Sequence, residues 1–133
     1  MGAKRKVTKK KVMVVDDDRD FLDEVREILD ERGYETIMAD NGDQALQSAR
    51  SLRPDIILLD IVMSEMNGFQ LADRLNKLKG TRRIPIIAMT GWFVREEHVR
   101  LLNMLGITAV LMKPVDPAEV AACIERTLEN GKR

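Results

Sequence analysis

The chain has 133 residues, 44% of them hydrophobic and 33% charged, enough to bury one core and too apolar for a disordered polymer. The formal net charge is zero, yet residues 1–11 hold six basic residues and no acid, which leaves 16 basic against 22 acidic residues in the rest. No apolar run reaches the roughly 18 residues of a membrane span, the basic N-terminus lacks the apolar stretch of a signal peptide, and the single cysteine, Cys123, excludes an internal disulfide. These features predict a cytoplasmic protein with no membrane partner.

Residues 1–10 read as a flexible basic arm, 11–130 as one domain and 131–133 as a short tail. Residues 11–16, Lys-Val-Met-Val-Val-Asp, form an apolar run ending in acid and predict a first strand. Asp20-Phe21-Leu22 then opens a helix, with Phe21, Leu22, Val25, Ile28 and Leu29 on one face and Gly33 as its stop. Tyr34 to Ala39 alternates as a second strand. Asn41-Gly42 turns the chain into a short helix from Gln44 to Leu52, carrying Ala45, Leu46 and Ala49.

Asp55 to Asp60 follows. Its apolar run from Ile56 to Leu59 predicts a strand buried on both faces, as in a parallel sheet. Phe69, Leu71, Ala72, Leu75 and Leu78 mark a third helix, stopped near Gly80. Ile84 to Met89 is a fourth strand ending at Thr90-Gly91, and residues 94–105 are a fourth helix. Ala109 to Met112 is a fifth strand ending at Lys113-Pro114. Pro117 opens a last helix with Val120, Ala121, Ile124 and Leu128 inward. A βα pattern repeated five times implies an α/β fold with parallel strands and right-handed crossovers. The first strand is not followed by G-x-G-x-x-G, and neither G-x-x-x-x-G-K-[ST] nor a Cys/His cluster occurs.

Strand ends carry the chemistry. The first ends in Asp16-Asp17, the third in Asp60, the fourth in Thr90 and the fifth in Lys113. In a parallel sheet these ends share one edge, where ligands bind. Each has an ordinary use: Asp16, Asp17 and Asp18 suit a helix N-cap, and Thr-Gly or Lys-Pro suits a turn. Their joint placement points elsewhere. Several carboxylates together repel, and a cation relieves them. Oxygen ligands at an open site favour Mg²⁺. A hydroxyl and an ammonium beside them are donors for a phosphoryl group. The set reads as a carboxylate that accepts a phosphoryl group, with metal and lysine offsetting the charge.

Four segments, Val14-Val15-Asp16-Asp17-Asp18, Leu58-Leu59-Asp60-Ile61-Val62-Met63 with Asn67-Gly68, Ile86-Ile87-Ala88-Met89-Thr90-Gly91, and Met112-Lys113-Pro114, resemble the motifs of a response-regulator receiver domain of two-component signalling, over about residues 11–130. The resemblance implies a doubly wound, flavodoxin-like five-stranded sheet in the order 2-1-3-4-5. It implies Asp60 as phosphoacceptor, with Asp17, Asp60 and the backbone carbonyl of Val62 binding Mg²⁺ directly and Asp16 through water. Thr90 would bond a phosphoryl oxygen, and Lys113 would pair with Asp60 and then with the phosphate. The bond from Lys113 to Pro114 would be cis. A histidine kinase or a histidine phosphotransfer protein would be the donor.

The chain departs from the family at several positions. Val110 stands where Tyr or Phe is usual three residues before the lysine, so the aromatic switch is missing and output is expected to rely on backbone movement. Ser64 stands where Pro is common. Val62 and Trp92, two residues after Asp60 and Thr90, are apolar and are expected to hinder the water that hydrolyses the acyl phosphate. In the helix at 94–105, apolar residues and His98 spread over roughly 220° at about 100° per residue, twice what one buried face needs. That predicts a docking surface for a downstream protein, shared with strand 109–112 and the last helix. His98 reads as a surface residue and Cys123 as a packing residue.

The basic arm reads as a solvated tail, and with no aromatic interleaving and no base-reading fold nucleic acid is not an expected partner. A phosphatase with an aspartyl nucleophile would carry a second Asp two residues on as acid/base, where Val62 stands. Two other readings are a receiver-like module that binds without phosphorylation and a fragment of a larger regulator. With no module after the last helix, a stand-alone switch is expected, its oligomeric state left open.

Overall fold

A computed structural model describes residues 9–62, 67–91 and 96–130. The elements alternate as β1 (Lys11–Val15), α1 (Arg19–Glu31), β2 (Glu35–Ala39), α2 (Gly42–Leu52), β3 (Ile56–Asp60), α3 (Gly68–Lys77), β4 (Ile86–Thr90), α4 (Glu96–Met104), β5 (Ile107–Met112) and α5 (Pro117–Asn130). The strands form one parallel sheet in the order β2-β1-β3-β4-β5, the flavodoxin-like α/β arrangement expected.

Side chains of a strand alternate between faces, and the core divides accordingly. Met13, Val15, Ile57, Leu59 and Ala88 pack against Ala45 and Ala49 of α2 and Leu71 and Leu75 of α3. Val12, Val14, Ile56, Leu58, Ile87 and Met89 pack against Leu22, Val25 and Leu29 of α1 and Val120, Cys123 and Ile124 of α5. Both faces of the central strands are therefore dry, which is why β1, β3 and β4 read as continuous apolar runs.

Several boundaries differ from the sequence expectation. β1 stops at Val15 and β2 starts at Glu35, one residue short of the runs that suggested them. β4 begins at Ile86 rather than at residue 84, because the Ile84 N–H is spent in a turn on the Thr81 carbonyl at 3.0 Å and Pro85 has no N–H to give. β5 begins at Ile107 rather than at residue 109. Gly106, at φ 80, takes the left-handed turn that leads from α4 straight into the strand. The exposed Thr108 interrupts the apolar run at this edge strand and hid its start. α2 begins two residues early, at Gly42, because the Asn41 side chain accepts from the Gln44 N–H at 2.8 Å and caps it.

Candidate functional site

β3 fixes Asp60. Hydrogen-bonded partners on both sides hold the strand, and Ile56, Ile57, Leu58 and Leu59 are fully buried. Just beyond it, α3 comes down onto the strand end. The Gly68 N–H donates to the Ile61 carbonyl at 2.8 Å, and a Cβ on Gly68 would lie 2.6 Å from the Asp60 carbonyl oxygen. A side chain at 68 would push the helix off the strand.

The three acids after β1 separate into different roles. Asp16 is fully buried: its N–H donates to the Ala39 carbonyl at 3.1 Å, and its Oδ1 accepts from the Asp18 N–H at 3.0 Å. Asp17 is exposed. Asp18 caps α1, accepting from the N–H groups of Asp20 at 3.1 Å and Phe21 at 3.3 Å. The helix-cap use that the sequence allows all three acids thus belongs to Asp18.

Lys113 joins the strand ends. Its backbone N–H donates to the Thr90 carbonyl at 2.8 Å. Its Nζ donates to Asp16 Oδ2 at 2.9 Å and to Asp60 Oδ2 at 3.3 Å, so it sits closer to Asp16 than to its expected partner. The ring of Phe21 lies under the ammonium, 5.4 Å from Nζ to centroid. The peptide bond to Pro114 is cis, as the resemblance implies. The other oxygen of Asp60, Oδ1, accepts from the Val62 N–H at 3.1 Å.

Carboxylate oxygens of Asp16, Asp17 and Asp60 lie within 4.8 Å of one another. Like charges at about that distance repel by on the order of 3–4 kcal/mol at an effective dielectric near 20. Burial and then the Asp16 charge push the Asp60 carboxyl above the ordinary carboxylate range, against the pull of Lys113 and the Val62 N–H. Burial lowers the Lys113 ammonium, but the hydrogen bond and charge of Asp16, then those of Asp60, outweigh it, and its pKa is raised. Three acids against one ammonium leave a surplus of negative charge. A hard divalent cation with oxygen ligands fits that donor set.

The sequence candidates fall as follows. Asp16, Asp17, Asp60 and Lys113 converge. Thr90 is the last residue of β4 and 5% exposed, one step beyond Met89, the register partner of Asp60. Val62 is 45% exposed beside the site. Trp92 and Ser64 lie outside the described residues. Val110 is half-buried against the core, a packed side chain where a mobile ring is usual. His98 is exposed and Cys123 buried. Leu102 is the buried residue of α4, while Val99, Leu101 and Met104, with Met112 of β5, are exposed. Two participants were missed. Apolar spacing marks Phe21 only as a core-facing residue, and Gly68 enters only beside Asn67 in the family-like segment. Nothing local in the sequence pairs either with its neighbour in space.

A family model described as the response regulator receiver domain matches residues 12–125. The polar-differentiation response regulator DivK of Brucella anthropi is 36% identical over 106 residues, covering 80% of this chain and 85% of its own. The alkaline phosphatase synthesis transcriptional regulatory protein PhoP of Bacillus subtilis is 31% identical over 92% of this chain, which spans only 50% of that protein. The crystal structure of a CheY-like response regulator receiver domain protein from Methanospirillum hungatei is similar, with a TM-score of 0.84, 28% identity, and coverage of 94% of this chain and 98% of that one. With its fold, its strand-end acids and its lysine in agreement, the chain belongs to the response regulator receiver domain family of two-component signalling.

Proposed function

We propose that Asp60 accepts a phosphoryl group from the phosphohistidine of a histidine kinase or of a histidine phosphotransfer protein. The observation that carries this reading is the Lys113 ammonium bridging the buried carboxylates of Asp16 and Asp60. An Asp60 oxygen attacks phosphorus, the P–N bond breaks, and its electron pair returns to the donor imidazole. The carboxylate needs no general base, since it reacts in its ionised form. Charge repulsion between it and the phosphoryl group is the main barrier to approach.

Asp17, Asp60 and the Val62 carbonyl would hold Mg²⁺, with Asp16 acting through water. The ion would neutralise the acids and the phosphoryl oxygens when bound. Lys113 exchanges Asp60 for the phosphoryl oxygens, and the Thr90 hydroxyl donates to one of them. Slow hydrolysis of the acyl phosphate, by water entering past Val62, returns Asp60 to the carboxylate.

The output surface in this reading is the exposed apolar set on α4 and β5, with α5 beside it. The hydrogen bond from the Lys113 N–H to the Thr90 carbonyl links the ends of β4 and β5 directly. That link supports coupling through backbone in a domain with Val110 at the aromatic position.

The test is phosphoryl incorporation from acetyl phosphate or a phosphorylated kinase with Mg²⁺ present, read by mass spectrometry. Wild type is expected to label and Asp60→Asn to lose labelling by a hundredfold or more, the scale of a lost nucleophile. Undiminished labelling of Asp60→Asn would refute the assignment, and chelation of Mg²⁺ is expected to stop labelling of wild type.

A further inference from the structure

Parallel strands, with helices returning the other way, sort the charges of this chain by end. The strand C-terminal end holds Asp16, Asp17, Asp18, Asp40 and Asp60. The opposite end is basic on the side of β1, β3 and β4 and carries acids on the β2 side. Residues 74–83, at the end of α3 and in the following loop, contain five basic residues and no acid. Lys9 and Lys10 lead into β1, and Arg53 caps α2.

Strand pairing brings these segments side by side. The Asp55 N–H donates to the Lys11 carbonyl at 2.9 Å, and the Ile57 N–H to the Pro85 carbonyl at 3.0 Å. Lys9 to Lys11, Arg53, and Arg82 with Arg83 therefore precede three neighbouring strands, β1, β3 and β4. The acids nearby are already engaged. Asp55 accepts from the Lys11 N–H at 2.8 Å and lies 4.0 Å from Lys10, and Asp73 pairs with Lys77 at 2.9 Å. Asp30, Glu31 and Glu35 confine the basic surface to the β1–β3–β4 side.

The zero net charge describes neither end. A five-residue strand separates them by about 17 Å before loops are counted, and the Debye length at physiological salt is about 8 Å. Each end acts on its own partners.

We propose that this edge binds the phosphate backbone of nucleic acid by charge, without reading base sequence. The cations form a row across adjacent strands, and a duplex offers a fixed line with one charge per about 1.7 Å. Arg53, Arg82 and Arg83 carry the forked guanidinium that suits phosphate oxygens. A bilayer fits less well: among the described residues Leu52 and Met104 are the exposed large apolar residues near this end, and they sit on separate helices with no common face to enter lipid. The acidic rim is repelled by the same polyanion, so bound chains turn Asp60 outward and leave it open to its donor.

The test is fluorescence anisotropy of a labelled mixed-sequence DNA duplex titrated with the full chain between 50 and 200 mM KCl. Binding is expected at the lowest salt, with log K falling by about 4 per tenfold rise in salt, as for four or five phosphates contacted. Arg82→Glu with Arg83→Glu is expected to weaken binding about tenfold or more and to flatten that slope. Its labelling by acetyl phosphate, unchanged, would report an intact fold. Lys79→Glu alone is expected to weaken binding about threefold and tests the same edge independently. Duplexes of different base composition should bind alike. No binding at 50 mM salt, affinity untouched by both charge reversals, or preferential capture by phosphatidylglycerol vesicles in the presence of the duplex would each overturn the proposal.

Discussion

Ile56, Ile57, Leu58 and Leu59 share a strand with Asp60, and all five are buried, but burial acts on them with opposite sign. The four apolar residues are fully buried, and each contributes roughly 1.5–3 kcal/mol by leaving water. Asp60 is 4% exposed beside another buried carboxylate, and burial with the Asp16 charge raises its pKa, so its charged form is disfavoured there. The β3 interior therefore holds in place a tip that would not stay there by its own energetics. Strain of this kind belongs at functional sites, where a ligand or modification relieves it.

The largest stability effect expected from this contrast is at the interior. Leu58→Ala removes a fully buried side chain from the α1–α5 face of the core and is expected to cost about 3–4 kcal/mol in urea unfolding. A cost below about 1 kcal/mol would mean that the strand interior does not hold the tip.

Asp60→Asn is expected to act the other way, stabilising the metal-free protein by roughly 1 kcal/mol, or a Tm rise of about 3 °C. The sign follows from linkage. A carboxyl with a raised folded-state pKa binds its proton more tightly when folded, so its destabilising effect is absent at low pH. The effect grows as pH rises from the unfolded-state value through the raised one. The gap in Tm between Asp60→Asn and wild type should therefore open on going from acid to pH 7. Added Mg²⁺ should close it, since binding to the native wild type raises its stability. Loss of stability in Asp60→Asn at pH 7 without metal would show that the Lys113 pair outweighs burial and the Asp16 charge.

The site was legible because its members end apolar runs. Once the strands are parallel, Asp16, Asp60, Thr90 and Lys113 must share an edge, whatever the loops do between them. The separation of roles among Asp16, Asp17 and Asp18 was not legible, because three adjacent acids look alike until the backbone turns. The start of β5 was obscured for a similar reason: Gly106 and the polar Thr108 break the apolar run, and only the neighbouring strand supplies the ladder that extends it. Coverage of α4 lies beyond what periodicity can say. α3 and α4 both carry helical apolar patterns, but α3 buries Leu71, Ala72 and Leu75, whereas Leu102 is the buried residue of α4. Apolar spacing marks which residues can share a face; only the packing decides whether another layer covers it.

That difference between two helices on one side of the sheet can be measured. Leu102→Ala is expected to cost about 2 kcal/mol. Met104, 69% exposed, should tolerate serine within about 0.5 kcal/mol. Leu101→Ser, at 51% exposure, should do the same. Equal costs at Leu102 and Met104 would mean that α4 is covered in solution, for instance by a second copy, and that its apolar side is not free for a target.

The smallest expected effect concerns Phe21, whose ring belongs half to the core and half to the rim. It packs against the α1–α5 cluster and also lies under the Lys113 ammonium. A cation over an aromatic face gains about 0.5–1 kcal/mol at a partly exposed site, which corresponds to about a two- to fivefold change in a rate that depends on where the ammonium sits. Phe21→Leu keeps an apolar side chain and loses the ring, whereas Phe21→Tyr keeps both. Labelling by acetyl phosphate, which needs no docked protein partner, should slow by that factor in Phe21→Leu and recover in Phe21→Tyr. If both variants label like wild type while Phe21→Leu is destabilised, the ring serves only the core, and Lys113 is placed by Asp16 and Asp60 alone.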